Sequence, residues 1–418
     1  MHAFEPHLPP DVTKICSHLI QKGMRPVIVG GYVRDTLLGI ASKDIDIEVY
    51  ETTSLETLAS HLNSFGSLNH VGKHFGVLKL TTEHHELDFS LPRLETKTGL
   101  GHKGFEVTTP NQIDFTQAAL RRDFTINAMG YDVHAMKLLD PYKGQKDLQE
   151  GWLRCVNTKT FIEDPLRILR AVGFSARFNL QLDSHLKTLI ISMHEQHALD
   201  ELPKERVNVE LSKLLLKALH PSYGFLAMQS LQLLDFIPPL NTLSDEDFNT
   251  TLQRVDYLNT CNIASQNTHL TYALTLLTLC FNKKTSLDAF IKKFTHNTTI
   301  LKNVLVFQDT LKHIQEIHDF NDTTLRILST QMPLCHVYAL LQCINKESLA
   351  LKIKQQAKKL GIFEKAPRPL LQGRHLIQEG YKPSDQFKTI LNKAYQYQLE
   401  GKLTHLEDAL EWLKTLKM

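Results

Sequence analysis

The sequence of 418 residues has few cysteines, no long apolar run and little net charge, and the first two shortages exclude classes of protein. Its six cysteines form no Cys-x-x-Cys pair, so neither a zinc site nor a disulfide framework is indicated. No uninterrupted apolar stretch approaches the roughly 18 residues of a membrane span, and the N-terminus lacks the basic and apolar leader of a secreted protein. We therefore expect a cytoplasmic protein without a membrane partner.

The overall charge is less informative. A formal net charge of +2 does not by itself indicate a nucleic-acid-binding protein, and it says nothing about a local basic stripe. A hydrophobic content of 42% and a charged content of 22% are those of an ordinary globular protein. No internal repeat and no low-complexity tract is present, and nothing in the sequence indicates an obligate protein partner.

The spacing of apolar residues changes along the chain. Period-two patterns predict strands at residues 27–29, 44–50, 75–81 and 86–91, with helices at 33–38 and 55–65. Beyond Asp164 the spacing is that of helices, for example at residues 165–178, 204–219, 270–281 and 301–317. The sequence therefore predicts an α+β fold, in which a head with one β-sheet and flanking helices precedes a long all-α remainder.

Asp44 and Asp46 are the most informative residues of the head. On a strand, side chains alternate with period two, so both carboxylates would lie on the same face. Divalent cations offset the repulsion of such a pair, and Mg²⁺ is commonly held by one or two carboxylates plus substrate phosphates. Gly30 and Gly31, within 17 residues of Asp46, would let backbone approach a phosphate closely.

Each of these features has an ordinary alternative. A Gly-Gly pair is more often a simple turn, and an Asp-x-Asp on a surface strand is more often solvated or paired with Lys43. The combination after the apolar run at residues 27–29 favours a metal and phosphate site, in which Arg34 opens the helix that follows the glycines.

Two further segments of the head belong with this hypothesis. Asp88 is a third carboxylate on a flanking strand, where it would deprotonate an attacking hydroxyl or complete a metal shell; a solvated strand Asp is equally consistent. The glycine-rich, basic segment at residues 92–104 suits a mobile loop beside a phosphate substrate, or a simple flexible connection.

Arginines and an amide follow at residues 121–127. Arg121 and Arg122 supply planar, bidentate donors suited to phosphate. Asn127 is four residues beyond Asp123, so on a helix the two would share a face. Asn127 would then hydrogen-bond a ribose hydroxyl; the alternative is a network that caps a helix N-terminus.

Asp164, Arg167 and Arg170 would cover one face of a helix that begins after Asp164-Pro165. Capping explains Asp164 but not the arginines. An Asp acceptor beside an Arg donor matches the edge of cytosine or adenine and mismatches uracil and guanine, which would cost about 1–3 kcal/mol per unpaired buried group. On the next long helix, we expect Arg206 and Glu210 to have a structural role, as part of a buried ion network that fixes this helix behind the site.

Together these residues resemble the class II tRNA nucleotidyltransferase and bacterial poly(A) polymerase family, a branch of the polymerase-beta-like superfamily. The motifs that carry the resemblance stand in the family's order, at residues 30–35, 44–46, 121–128, 140–148, 163–167 and 205–210. The tail at residues 369–380 and 398–402 also resembles the tRNA-specific members.

The resemblance implies a role for each of these residues. Asp44 and Asp46 would hold two Mg²⁺ ions, Gly31, Arg34 and Arg122 would cradle a triphosphate, Asp164 and Arg167 would read the base, and Arg170 would support the nucleotide. It also implies four parts: a catalytic nucleotidyltransferase head with one mixed sheet (1–150), a helical neck with the base-reading motif (151–235), a helical body (236–365) and a helical tRNA-binding tail (366–418).

The implied reaction is template-independent addition of CCA to the acceptor end of tRNA from CTP and ATP, with release of pyrophosphate. The alternatives are a CC-adding or A-adding enzyme, a poly(A) polymerase, or a non-catalytic RNA-binding protein. One departure concerns Gly173, where many relatives carry a further arginine, so a triphosphate contact is absent or supplied elsewhere. His318-Asp319 lacks supporting histidines, so we expect no phosphohydrolase activity.

Overall fold

The computed structural model describes residues 6–52, 54–71, 76–97, 105–108, 113–261, 268–280, 287–317 and 320–416. The chain divides into two compact units. The first comprises residues 1–214 and 223–234, and the second comprises residues 215–222 and 235–418. The four-part division expected from the sequence stays a prediction.

The described strands all lie in the first unit. They are β1 (Arg25–Val29), β2 (Ile45–Tyr50), β3 (Ser67–Val71), β4 (Val77–Thr81), β5 (Glu86–Ser90), β6 (Leu94–Lys97), β7 (Phe105–Thr108), β8 (Gly130–Asp132), β9 (Lys137–Leu139), β10 (Trp152–Leu153) and β11 (Gln181–Leu182).

Up to residue 217, helices alternate with these strands along the chain. They are α1 (Pro10–Gln21), α2 (Gly31–Leu37), α3 (Leu55–Leu62), α4 (Phe115–Ala119), α5 (Gly144–Glu150), α6 (Thr158–Phe161), α7 (Leu166–Phe178), α8 (Ser184–Glu195) and α9 (Lys204–Lys217), with short 3₁₀ turns at Thr125–Asn127 and Ala198–Glu201.

The remaining described elements are helical. They are α10 (Pro221–Ser230), α11 (Pro238–Asn241), α12 (Asp245–Thr260), α13 (Thr268–Leu279), α14 (Leu287–Phe294), α15 (Thr298–Glu316), α16 (Asp322–Gln331), α17 (Leu334–Cys343), α18 (Glu347–Lys359), α19 (Gly373–Gln378), α20 (Asp385–Leu399) and α21 (Leu406–Thr415), with a 3₁₀ turn at Leu234–Phe236. None of the helices that the structure describes is long and apolar enough to cross a membrane.

A seven-stranded mixed sheet organises the head, in the order β3-β4-β5-β2-β1-β8-β9. Strands β2 and β5 run parallel because helix α3 and the β3–β4 hairpin connect them, while β1 runs antiparallel to β2. Side chains of β1 alternate between two hydrophobic cores, one on each face of the sheet. Ile28 packs in one core, and Val27 and Val29 pack with Phe115 in the other. This sheet confirms the predicted fold class.

The structure differs from the sequence prediction in several details. Strand β2 begins at Ile45, so Asp44 lies just before it. The apolar pattern does not predict strands β3, β8 and β9, because they are polar or only three to five residues long. The predicted loop at 92–104 contains strand β6, which pairs with β7; residues 98–104 of that loop, residue 75 and His318-Asp319 lie outside the described residues.

Candidate active site

The acidic residues lie on one face of the central strands. Asp46 of β2 is directly opposite Asp88 of β5 and, on its other side, opposite Val29 of β1. Asp44 precedes β2 and is exposed, as is Asp46. Partial desolvation raises the pKa of Asp46, and the charges of Asp88 and Asp44 raise it further, while Arg122 lowers it. Asp46 therefore lies close enough to Asp88 and Asp44 to be affected by their negative charges, and the role of these carboxylates as metal ligands stays a prediction.

The donor set fits a cation that is shared with a substrate. Among the described residues, no three or more His, Cys, Asp or Glu side chains form a cluster that could hold a metal ion by themselves. Neighbouring, partly solvent-exposed carboxylates on the central strands match the usual Mg²⁺ arrangement, in which one or two protein carboxylates are completed by phosphate and water.

The glycine turn lies next to an arginine. Gly30 has φ +71° and ψ −123°, and a Cβ atom there would lie 2.8 Å from Nη1 of Arg122. The Nε atom of Arg122 is buried and, within the described part of the chain, has no hydrogen-bond partner. A Cβ at Gly31 would lie 3.6 Å from Nη2 of Arg34, an ordinary contact. The glycine at position 30, rather than 31, admits the guanidinium.

Glu48 is a charged residue that the sequence patterns did not single out. It is 1% exposed, and its Oε1 accepts hydrogen bonds from Arg121 (2.9 Å) and Arg122 (2.8 Å). Burial alone would raise the pKa of Glu48, but Arg122 and Arg121 hold it below its ordinary value. A signal for Glu48 exists in the sequence, because the period-two pattern that pairs Asp44 with Asp46 continues to it.

Arg34 is buried rather than open to a ligand. Its Nε and Nη2 donate to Asp35, and its Nη1 donates to Oδ1 of Asn127. The guanidinium lies 5.3 Å and 4.6 Å from the ring centroids of Phe174 and Phe178 on α7. Burial lowers the pKa of Arg34, against the raising effect of Asp35. Direct contact between Arg34 and a triphosphate stays a prediction.

Asn127 and Asp123 continue this network toward α7. Nδ2 of Asn127 donates to Asp123 over 3.0 Å, and Nε of Arg170 donates to the other oxygen of Asp123 over 2.7 Å. The Asp123–Asn127 pair forms as expected, although a 3₁₀ turn replaces the predicted helix. In this structure both functions of the Asn127 amide contact protein groups, and its contact with a ribose stays a prediction.

The predicted base-reading pair lies at the start of α7. Arg167 donates to the backbone carbonyls of Thr160 (2.8 Å) and Arg121 (2.6 Å). Asp164 accepts from the backbone N–H of Leu166 and forms an ion pair with Arg206 over 3.1 Å, with 24% of its side chain exposed. Both side chains are thus held at defined positions, partly open to solvent.

Charged residues of α9 form ion pairs with Arg170 of α7 and with Asp164, which precedes α7. Glu210 lies 3.9 Å from Arg170 and 2.8 Å from Lys213, and Arg206 binds Asp164. These contacts confirm the predicted ion network of Arg206 and Glu210.

Gly173, in the middle of α7, faces open space. Apart from its own helix, no atom of the described residues lies within 4 Å of the position that a Cβ atom would take there. The structure therefore offers room for the arginine that many relatives carry at this position.

The predicted site residues form two groups. Asp44, Asp46, Asp88, Gly30 and Arg122 lie on or beside the central strands β5, β2 and β1. The second group, Arg34, Asn127, Asp123 and Arg170, extends from α2 to α7 through hydrogen bonds. Arg167 and Asp164, at the start of α7, form their hydrogen bonds with other residues. The two groups meet where Nη1 of Arg122 donates to the backbone carbonyl of Asn127 over 3.5 Å.

The segment at residues 140–147 supports this junction. Asp140 accepts hydrogen bonds from the backbone N–H groups of Gly144 and Gln145. A Cβ at Gly144 would clash with the carbonyl oxygen of Thr125, so only glycine allows this approach. Asp147 in turn accepts from the Thr125 hydroxyl over 2.6 Å. The motif fixes the turn that carries Asn127.

This part of the chain has the features of a nucleotidyltransferase head. They are a mixed sheet with neighbouring carboxylates, a glycine turn and clustered arginines. Residues 27–154 match the family described as "Poly A polymerase head domain", and residues 265–413 match "tRNA nucleotidyltransferase domain 2 putative". Two regions of the chain thus match models of the poly(A) polymerase and tRNA nucleotidyltransferase type, and the resemblance predicted from the motifs is confirmed. Nucleotidyltransferases of this kind generally use a divalent metal.

Similar proteins agree with this assignment. The "Multifunctional CCA protein" of Neisseria gonorrhoeae is 39% identical over 194 residues, covering 46% of this chain and 45% of that protein. The "CCA-adding enzyme" of Blochmanniella floridana is 34% identical over 270 residues, 62% of each chain. The chain thus matches about half to three fifths of the length of these relatives.

A solved structure establishes the fold independently of the motifs. A tRNA nucleotidyltransferase complexed with a primer tRNA and an incoming ATP analog has a TM-score of 0.64 and 24% sequence identity, covering 83% of this chain and 98% of that chain. At this level of identity the similarity concerns the fold, over 83% of this chain.

Proposed function

We propose that this protein adds C, C and A to the 3′ end of tRNA without a nucleic-acid template, using CTP and ATP and releasing pyrophosphate. The observation that carries the proposal is the placement of Asp46 opposite Asp88, with Arg122 and Gly30 beside them, in a head of the poly(A) polymerase type. The names of the relatives from Neisseria and Blochmanniella, both of which refer to CCA, support this substrate choice.

Asp44 and Asp46 would hold two Mg²⁺ ions together with the substrate phosphates. When bound, the metal supplies charge stabilisation for the attacking and leaving oxygens of an in-line displacement. The raised pKa of Asp46 is consistent with a cation-binding site, because a positive ion relieves the repulsion between Asp44, Asp46 and Asp88.

Arg122 and Gly30 would bind the triphosphate. The buried Nε of Arg122 needs an acceptor, and a phosphate oxygen is the strongest acceptor that this reaction offers. Asp88, in register with Asp46, would accept the proton of the tRNA 3′-hydroxyl or complete the metal shell. These residues would bring the hydroxyl and the α-phosphate to the same face of the central strands.

Asp164 and Arg167 would read the base. Arg206 fixes one oxygen of Asp164, while the carbonyls of Thr160 and Arg121 fix the guanidinium of Arg167. A carboxylate acceptor beside a guanidinium donor complements cytosine and adenine and leaves polar groups unpaired against uracil and guanine. The predicted helical neck, body and tail would bind the tRNA acceptor end through its backbone and shape. The protein would act in the cytoplasm.

The decisive experiment supplies CTP and ATP, separately and together, to tRNAs that end before the first C, after one C and after both. Addition of C, C and A in that order is expected. Incorporation of C alone identifies a CC-adding enzyme, and incorporation of A on the CC-ended tRNA alone identifies an A-adding one. If the parent incorporates neither nucleotide and is as inactive as Asp44→Ala, the protein is not a nucleotidyltransferase.

Poly(A) addition is the second candidate, because the family that the head matches is described by that activity. Product length separates the two functions. A CCA-adding enzyme stops after one A on CC-ended tRNA, whereas a poly(A) polymerase given ATP extends a generic RNA primer by many residues.

A further inference from the structure

Glu48 continues the row of acids on strand β2 into the protein interior. Asp46 lies opposite Asp88, and Glu48 lies one side-chain pair further along, opposite Ser90 of β5 and Val27 of β1. Asp46 is exposed, but Glu48 is 1% exposed. A carboxylate buried to this degree needs charged or polar partners.

Three groups share this carboxylate. Nη2 of Arg121 and Nη2 of Arg122 donate to Oε1 over 2.9 Å and 2.8 Å, and the hydroxyl of Tyr50 donates to Oε2 over 3.0 Å. One oxygen of Glu48 therefore sets the positions of two adjacent guanidinium groups. Such charge-assisted hydrogen bonds are about twice as strong as neutral ones.

Arg122 has weaker contacts elsewhere. Its Nη1 donates to the Asn127 carbonyl at 3.5 Å, the limit of a hydrogen bond, and its Nε has no partner in the described part of the chain. Its bond to Glu48 is thus shorter than its bond to Asn127 and fixes this guanidinium beside Gly30. Without it, the side chain can rotate away from the glycine turn.

We propose that Glu48 is a positioning residue for the incoming nucleotide: it holds Arg122 beside the Gly30 turn, so that the guanidinium is already in place for the triphosphate. The inference rests on the proposed nucleotidyl transfer only in naming the ligand. Glu48 itself is enclosed by the arginines and Tyr50, and it acts through Arg122 rather than on the reacting atoms.

The role predicts a specific kinetic pattern for Glu48→Gln. Glutamine has the same shape but presents at most one neutral oxygen to two guanidinium groups, so Arg122 loses its anchor. Because the arginine contacts phosphate both before and during transfer, its loss weakens ground-state and transition-state binding alike. We expect the KM for CTP and ATP to rise about tenfold or more, with kcat changed by less than about threefold.

Tripolyphosphate and cytidine are the discriminating probes. The inhibition constant of tripolyphosphate should rise in parallel with KM in Glu48→Gln, whereas that of cytidine, which has no phosphate, should stay unchanged. Tyr50→Phe is the matched control, because it removes a hydrogen bond to the same carboxylate but leaves both arginine contacts. Its KM should stay within about twofold of the parent value.

The competing outcomes are distinct. A folded Glu48→Gln protein with parental KM and parental tripolyphosphate inhibition overturns the proposal, as does a fall in kcat alone. If Glu48→Gln does not fold, Glu48→Asp replaces it, and an unchanged KM in that shorter acid overturns the proposal equally. Displacement of a fluorescent ATP analogue by tripolyphosphate needs no turnover, so the role of Glu48 is tested even if the parent transfers no nucleotide.

Discussion

Asp46 of β2 lies opposite Asp88 of β5 in a parallel strand pair, although 42 residues of chain separate them. Parallel register places both side chains on the same face, and within the described ranges no lysine or arginine forms a hydrogen bond or ion pair with either carboxylate. The nearest lysine across the sheet, Lys79, binds Glu86 instead, over 2.8 Å. Arg122 affects Asp46 and Lys79 affects Asp88 through charge alone, so both carboxylates keep their oxygens for a ligand that brings positive charge.

Asp46→Asn should abolish transfer without destabilising the fold. The pKa of Asp46 is raised in the folded state, so the folded protein loses stability as pH rises from the ordinary pKa of aspartate up to this raised value, and the loss is complete at pH 7. The amide removes this repulsion, and we expect a melting temperature at pH 7 equal to or above that of the parent.

Mg²⁺ provides the second measurement on the same variant. Millimolar Mg²⁺ should raise the melting temperature of the parent in the presence of CTP and have a smaller effect on Asp46→Asn, because ligands that bind only the folded state stabilise it. An equal Mg²⁺ shift in both proteins would place the cation elsewhere.

Gly173→Ala should stabilise the protein. Gly173 lies inside α7, and beyond that helix no atom in the described ranges comes within 4 Å of its Cβ position, so alanine gains helix propensity without a clash. The expected gain is about 0.5–1 kcal/mol in the free energy of unfolding measured with urea. A loss of stability would show that the space around Gly173 is filled in solution.

Gly30→Ala is the contrasting glycine variant. The positive φ of Gly30 strains any side chain, and the new Cβ would lie 2.8 Å from Nη1 of Arg122. We expect a loss of about 1–2 kcal/mol in stability and a raised KM for CTP and ATP, because the guanidinium must move. A KM equal to that of the parent would mean that the position of Arg122 beside Gly30 does not matter for the nucleotide.

The sequence predicts those parts of the fold and site that depend on local periodicity. Alternation along β2 places Asp46 and Glu48 on one face, and Pro165 marks the start of α7. Glu48 follows the same alternation, but its arginine partners lie more than 70 residues away, so its role as an anchor required the structure.

Long-range contacts explain the remaining differences. The motif around Arg34 is local and predicts contact with a triphosphate, whereas Phe174 and Phe178 enclose the guanidinium from a helix 140 residues further on. Nothing in a linear pattern reveals that Arg34 and Asp123 use both ends of the Asn127 amide. Sequence patterns identify chemical groups, and only packing shows which are already engaged.

Arg167→Lys should relax base selection. Lysine keeps the charge but cannot donate simultaneously to the carbonyls of Thr160 and Arg121 in the planar geometry of arginine. We expect the ratio of CTP to UTP incorporation to fall about tenfold or more, with tRNA affinity changed much less. A parental incorporation ratio in a folded variant would refute the base-reading role of Arg167.

His336→Leu should remove a loss of folding stability at acid pH in the second unit, which is the helical unit (residues 215–222 and 235–418). His336 lies in α17 with 0% exposure, and burial lowers its pKa from 6.5 to about 4. Its Nε2 has no hydrogen-bond partner in the described residues. Between pH 6.5 and 4, His336 is therefore protonated in the unfolded chain but neutral in the folded chain. The stability that is present above pH 6.5 is lost as pH falls through this window.

A shift of this size corresponds to about 3 kcal/mol at the acid end of the window. Leucine has no proton to bind and no unpaired nitrogen to bury, so the variant should match or exceed the parent at pH 7 and exceed it increasingly down to pH 4. Urea unfolding at pH 7, 6, 5 and 4, followed by a probe of the helical unit, measures the difference. A parent-to-variant difference that does not change with pH would mean that His336 is protonated or hydrated in the folded protein.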